Sequence, residues 1–329
     1  MSEKKNKSFD RPGGYATPTG AIASQRHKLS LSNIQLLGDQ SPPFTPSSGH
    51  AISPDFFVTK PETLLFIGDC REVLPRLGQQ GNVDLVFADP PFNWDVPYDS
   101  WKDGMSRDEY ERFTFDWLDG CIELLSEAGT LWVNIPDDTA AEVVMHLKRR
   151  GMTMVNWCVW HFRFGQHRNG SFIMSKVHSL YFVKDPKNRT WNADAILEQS
   201  DRASIYNDKR TQDKPNNKGM RVPMDVWYGK YWGRVQGNNK ERRHGHHNQI
   251  PEVYLERIIL ACTKKGDLVL DPFVGSGTTS TVARAHDRRS IGIEYSQISA
   301  QSAWQRITEV GMVRKGCSAG QSSAIFSSR

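Results

Sequence analysis

Val83-Asp84-Leu85-Val86-Phe87-Ala88-Asp89-Pro90-Pro91-Phe92 is an apolar run closed by two prolines. Six residues of that character predict a buried strand, and the first proline ring ends it, because proline has no N–H to give to a ladder. The strand thus brings a carboxylate, a rigid turn and an aromatic ring to one place at its carboxyl end, where open α/β sheets bind ligands. The Pro90 carbonyl has no evident helical or ladder partner and is open to a donor outside the chain. Together Asp89, Pro90, Pro91 and Phe92 suit a planar group that bears an NH2.

Working outward, Thr63-Leu64-Leu65-Phe66-Ile67-Gly68-Asp69 predicts a strand and turn, with Val73, Leu74 and Leu77 at helical spacing behind it. Ser106 and Glu109 form a capping box ahead of Tyr110, Phe113, Trp117, Cys121 and Leu124. A strand at 129–135, a helix at 138–150 stopped by Gly151, and strands at 155–162 and 179–183 follow. From Asp185 to Asn248 periodicity fades, and so long an irregular stretch is a functional insertion or disorder; its six Trp and Tyr side chains argue against disorder and are expected to form mostly a small core of their own. Pro251 is expected to be the first residue of a helix; beyond it lie strands at 268–271 and 290–294, a helix at 278–286, and a last helix over about 296–310. The Gly, Pro, Ser and Thr content of residues 1–60 predicts a mostly disordered arm, and 312–329 a flexible tail.

Charge is informative once located. The net +5 comes from the interval 184–247, which holds fourteen Lys and Arg against eight Asp and Glu, so a polyanion-facing surface is expected there, with Arg242 and Arg243 as phosphate contacts. The five cysteines are scattered without a C-x-x-C pair, so no disulfide framework and no metal site is expected. His244-Gly245-His246-His247, which lacks cysteines or paired acids nearby, is better read as a solvated or phosphate-contacting turn than as a metal cluster. No apolar window reaches bilayer length and the polar start has no signal-peptide core, so the expected location is cytoplasmic.

A second constellation, Asp271-Pro272-Phe273-Val274-Gly275-Ser276-Gly277-Thr278-Thr279, is a glycine-rich turn from strand to helix, with Glu294 ending the next strand. Such glycines admit a ligand close to the backbone, and a downstream acid is suited to ribose hydroxyls. Ser280 stands where a dinucleotide fingerprint wants its third glycine, and no lysine follows for a triphosphate.

The two constellations together resemble motif IV and motif I of the amino methyltransferases, in the order of the beta class of DNA amino methyltransferases, over roughly residues 62–310. The resemblance implies a circularly permuted, Rossmann-like α/β fold, a mostly parallel seven-stranded sheet with helices on both faces, and S-adenosylmethionine as cofactor. It divides the catalytic domain into 61–184 and 249–311 around a target-recognition insertion at 185–248. Asp69 matches the motif expected at the adenine end of the cofactor, Gln249 the one over its methionine end, with His246 and Asn248 as neighbours, and Glu294 the ribose-binding acid. Asp in the first position of Asp89-Pro90-Pro91-Phe92 leans to adenine N6. Phe92, in place of the commoner Tyr, keeps the stacking face and loses a hydroxyl. A base inside a duplex has to be flipped out to reach such a pocket. Phe92 is then the first-choice stacking ring, with Trp160 or Phe162 second.

The expected partner is double-stranded DNA, with no membrane; a second copy of the chain and a cognate restriction endonuclease are further candidates. The competing readings are a cytosine-N4 DNA methyltransferase, an RNA adenine methyltransferase and, from another class, an inactive nucleic-acid-binding module.

Overall fold

The computed structural model describes residues 52–78, 81–162, 169–213, 218–229, 231–243, 245–246 and 248–310. The expected tail, most of the expected arm, His244, His247 and part of the loop after Phe162 lie outside the described residues. The strands are β1 (Phe56–Thr59), β2 (Glu62–Ile67), β3 (Val83–Ala88), β4 (Leu125–Ile135), β5 (Thr153–His161), β6 (Lys176–Val183), β7 (Glu198–Gln199), β8 (Met220–Arg221), β9 (Val226–Trp227), β10 (Leu268–Asp271) and β11 (Arg289–Glu294). The helices are α1 (Cys70–Val73), α2 (Arg107–Leu124), α3 (Ala140–Arg149), α4 (Asp201–Ser204), α5 (Lys209–Gln212), α6 (Glu252–Cys262), α7 (Thr278–Ala285) and α8 (Gln297–Gln305).

Nine strands form the main sheet in the order β1-β2-β11-β10-β3-β4-β6-β5-β9. From β2 to β4 all neighbours run parallel, and β6 is antiparallel to both β4 and β5. The seven strands from β2 to β5 are those the resemblance implies. Two short edge strands are added: β1 lies within the stretch assigned to the N-terminal arm, and β9 comes from the insertion. The permutation is visible in the central pair, because β3 and β10 are adjacent but far apart in sequence.

Alternation within the central strands explains the layers. In β3, Val86 and Ala88 enter one core with Leu74, Trp117 and Leu147 from the α1–α3 side. Leu85 and Phe87 enter the other, with Tyr254, Leu255 and Val282 from α6 and α7. A parallel strand covered by helices on both faces has no solvated side, which is why its sequence is almost continuously apolar. In α2 the capping box is formed: Ser106 N donates to Glu109 Oε2 at 3.0 Å and Glu109 N to Ser106 Oγ at 3.4 Å. All five helically spaced residues of α2 are buried.

Pro251 proves to be the cap of α6 rather than its first residue. The Glu252 amide donates to the Glu241 carboxylate at 3.0 Å, so an acid of the insertion closes the helix. Nor do the insertion's aromatics form mainly their own core. Trp227 and Trp232 pack on Tyr254, and Trp191 stacks on Tyr181 with centroids 6.2 Å apart. Indoles carry more apolar surface than a short irregular segment can bury by itself, whereas the sheet offers Trp132 and Tyr181 as an apolar face.

Candidate active site

Because β3 and β10 are parallel neighbours, Asp89 and Asp271 emerge at the same end of the sheet. They line one cavity of about 490 Å³ with Phe92, Phe273, Gly275 and Glu294, a volume in the range of small-molecule sites.

Asp89 is held from beneath. Asn134 on β4 donates from Nδ2 to Asp89 Oδ1 at 3.0 Å, and Asn134 Oδ1 accepts from the Tyr254 hydroxyl at 2.6 Å. With that proton given to Asn134, the Tyr254 oxygen accepts from Ser179 Oγ, also at 2.6 Å. The chain Ser179–Tyr254–Asn134–Asp89 fixes the amide orientation and leaves Oδ2 of Asp89, a residue of the cavity lining, without a hydrogen bond among the described residues. Burial pushes the Asp89 carboxyl above its ordinary range, opposed by the Arg234 charge and by Asn134. The Pro91 carbonyl accepts from Tyr110 at 2.8 Å, tying the turn to α2, while no donor among the described residues occupies the Pro90 carbonyl. Phe92 meets the edge of Trp94 at 5.1 Å.

The glycine turn lines the same cavity. Gly275 and Gly277 have φ of +51° and +77°, a region that side chains disfavour, and a Cβ on Gly277 would stand 3.1 Å from Ala303. Glu294 accepts from Gly275 N at 2.8 Å and Ser296 N at 3.0 Å; desolvation nevertheless raises its pKa to about 7. Asp271 accepts from Phe273 N at 2.9 Å, and burial raises it to about 7 as well. Arg306 and Glu252, both wholly buried, pair at 2.8 Å; Arg306 also donates to Thr278 Oγ1 at 2.7 Å and to the Ser276 carbonyl at 3.2 Å. The turn is thereby anchored to both α6 and the segment after α8.

Of the residues expected at the cofactor, Asp69, Asp271, Phe273, Gly275, Ser276, Thr278, Thr279, Glu294 and Gln249 line the cavity, as do His246 and Asn248; Gly277 shapes the turn from outside the lining. Asp69 also caps α1 and pairs with Arg71 at 2.6 Å. The Gln249 amide is engaged within its own loop, donating to Glu241 O at 2.6 Å and accepting from Arg243 N at 2.9 Å. Trp160 requires correction as a base-stacking residue. It is wholly buried against Tyr254 and donates to the Trp232 carbonyl at 2.5 Å, because its position on β5 points into the core. Phe162 is nearly buried beside it. Arg242 is exposed and Arg243 half-buried, and neither lines the cavity.

Asn134, Ser179, Tyr254, Arg234 and the Glu252–Arg306 pair were not singled out by sequence. Asn134 had a signal, a lone amide in the apolar run Leu131-Trp132-Val133-Asn134-Ile135. Tyr254 stands at helical spacing with Ile258 and Cys262 and so reads as an ordinary core residue of α6, and Arg234 is one of many cations in an aperiodic stretch.

The sequence model of a family described as DNA methylase matches residues 83–303. Type II methyltransferase M.HpaI of Haemophilus parainfluenzae is 30% identical over 231 residues, 70% of this chain and 69% of that protein. DNA adenine methyltransferase YhdJ of Escherichia coli (strain K12) is 32% identical over 251 residues, 73% and 81% of the two chains. Among solved structures, the PvuII DNA methyltransferase (cytosine-N4-specific) superposes with a TM-score of 0.57 at 16% identity, over 75% of this chain and 87% of that one. The M1.HpyAVI–SAM complex gives 0.52 at 21% identity, over 75% and 99%. At such identities these two likenesses speak for the fold.

Proposed function

The chain belongs to the N6/N4 DNA methylase family and is an S-adenosylmethionine-dependent DNA methyltransferase; from that premise we propose that it methylates the exocyclic N6 of adenine flipped out of duplex DNA. The observation that carries the reading is Asp89, a carboxylate that lines the cavity with Pro90, one oxygen fixed by Asn134 and the other without a hydrogen bond among the described residues. Resemblance to a protein named as a DNA adenine methyltransferase supports the choice of base.

The cavity fits the cofactor on its own chemistry: a glycine turn open to close approach, and a buried acid at the end of the next strand suited to hydroxyl donors. When bound, S-adenosylmethionine supplies a methyl group whose bond to sulfur breaks, its electron pair going to sulfur, as the amine lone pair forms the new N–C bond. Asp89 Oδ2 and the Pro90 carbonyl accept the two N–H bonds of the substrate amine. They favour its pyramidal form, whose lone pair is no longer delocalised into the ring. The Asp89 charge then stabilises the positive charge that develops on nitrogen, which sheds one proton to Asp89 or to water to give the neutral methylamine. Phe92 supplies the stacking face, and Arg242 and Arg243 contact phosphates beyond the cavity. The insertion, 185–248, reads the target sequence. A modification role beside an endonuclease sharing the site is in keeping with relatives named as type II methyltransferases.

Transfer of labelled methyl from S-adenosylmethionine is expected to duplex DNA and not to RNA of the same sequence, with the label recovered as N6-methyladenine. Recovery as N4-methylcytosine would overturn the base assignment, and transfer to RNA alone the polymer.

Glu294 adds a pH dependence. Holding ribose hydroxyls requires the ionised acceptor, and in the free protein this group is half-protonated near its pKa of about 7. Cofactor binding should therefore release protons near neutrality. Its Kd should rise as pH falls below 7, approaching tenfold per unit until the bound-state pKa is reached. Titration calorimetry in buffers of different ionisation enthalpy measures both; a Kd flat from pH 8 to 5.5 would exclude this role for Glu294.

A further inference from the structure

Arg234 is a cation in an unusual place. Its residue is only 8% exposed, yet it makes no ion pair among the described residues and its one hydrogen bond there runs from Nη1 to the Asn248 carbonyl at 2.8 Å. Its guanidinium carbon lies 5.0 Å from the centre of the Trp160 ring, 5.4 Å from Phe162 and 5.9 Å from Phe92. Three aromatic faces thus cradle the charge and set it in the wall of the cavity that holds Asp89. A buried guanidinium without a paired carboxylate is costly unless something nearby gains from its charge.

Resting on the reading of Asp89 given above, we propose that Arg234, held by its aromatic cradle in the wall of the cavity that Asp89 lines, is a positioning residue whose charge favours the ionised carboxylate and hence an acceptor through both oxygens. A protonated Asp89 would bring a donor to the substrate amine and lose the charge that stabilises the reacting nitrogen. The groups facing Asp89 explain why the task falls to Arg234. Asp271 comes from β10, Tyr254 from α6 and Tyr98 from the loop beyond Phe92, and each feels Asp89 as an unfavourable neighbouring charge. Asn134 approaches from β4 as a neutral donor, and His246 lines the same cavity. Of the cations described, Arg234 is the one whose field lowers the Asp89 pKa against burial. The aromatic cradle holds that charge while leaving the Asp89 oxygen free for substrate.

The test is the pH dependence of kcat, at saturating cofactor and duplex DNA, for the full chain and for R234Q and R234K, with cofactor Kd by calorimetry at each pH as the check on folding and on the carboxylates at the cofactor. Loss of charge lets desolvation dominate, so R234Q should move the acidic limb of kcat up by one pH unit or more. Below both midpoints it should then lose about tenfold relative to wild type for each unit of that displacement, and the loss should close to within about threefold on the alkaline plateau. R234K, which retains the charge, should keep the wild-type midpoint whatever its plateau. A packing role would lower kcat by one factor at all pH. R234Q curves parallel to wild type would overturn the proposal, as would an R234K midpoint displaced like that of R234Q. If R234Q fails the folding check, R234M, equally neutral and able to fill the aromatic cradle, takes its place with the same expected displacement and the same overturning result. Neither failure would touch the Asp89 reading, which stands or falls on loss of transfer in D89A.

Discussion

Asp89→Ala should reduce methyl transfer by at least about 10³-fold, about 4 kcal/mol in the barrier, while cofactor binding stays within a few-fold of wild type. Removing a single neutral donor from a preorganised site already costs on the order of 10²–10³. Asp89 supplies a full charge and one of the two acceptors for the substrate amine, so its loss falls on the step in which charge develops rather than on binding. Its carboxylate is also the end of the Ser179–Tyr254–Asn134 chain, and alanine leaves Asn134 Nδ2 without that acceptor. Single-turnover transfer of labelled methyl, paired with calorimetric cofactor binding, separates the two effects. Retained turnover in D89A would remove Asp89 from the reaction.

The largest stability effect is expected at Arg306. Arg306→Met should destabilise the fold by about 3–5 kcal/mol, because it takes from the wholly buried Glu252 the arginine it pairs with at 2.8 Å. In a chain of this size that is a fall in Tm of roughly 10 °C. Arg306 also donates to Thr278 and Ser276, so the glycine turn loosens in the same variant and cofactor affinity should drop with stability. The double variant E252L/R306M separates charge from packing. Replacing both partners by apolar groups of similar size is often close to neutral, and the double variant should therefore recover most of the Tm while leaving cofactor affinity impaired. Calorimetric unfolding of the two single variants and the double variant gives the coupling. An R306M protein as stable as wild type would show that the pair contributes nothing to the fold.

The elements that were legible in the sequence are those whose signal is local. Proline and capping chemistry place the end of β3 and the start of α2 without reference to the rest of the chain, and the apolar runs give the central strands. The irregular interval after Asp185 is different. Its aromatics look from sequence like a separate small core, but Trp191, Trp227 and Trp232 pack on Tyr181 and Tyr254, because the apolar face that Trp132 and Tyr181 offer outcompetes a core that short loops cannot close. Trp160 fails as a stacking residue for a related reason. Alternation along a strand fixes that neighbouring side chains oppose one another, but which of them faces the cavity depends on the layer packed against the strand, here Tyr254 of α6.

By itself the sequence determined that a carboxylate, a proline turn and a ring end one strand, and that a glycine turn and an acid follow two others, since each motif is built from adjacent residues. Only the tertiary structure decided that β3 and β10 are neighbours, that Asn134, Tyr254 and Ser179 fix one Asp89 oxygen, that Arg306 ties the glycine turn to α6, and that Arg234 places its charge in the cavity wall. Those groups come from positions far apart in the chain. What selects them is the parallel packing of strand ends and the need to partner polar groups in a dry interior, neither of which leaves a mark at the level of sequence spacing.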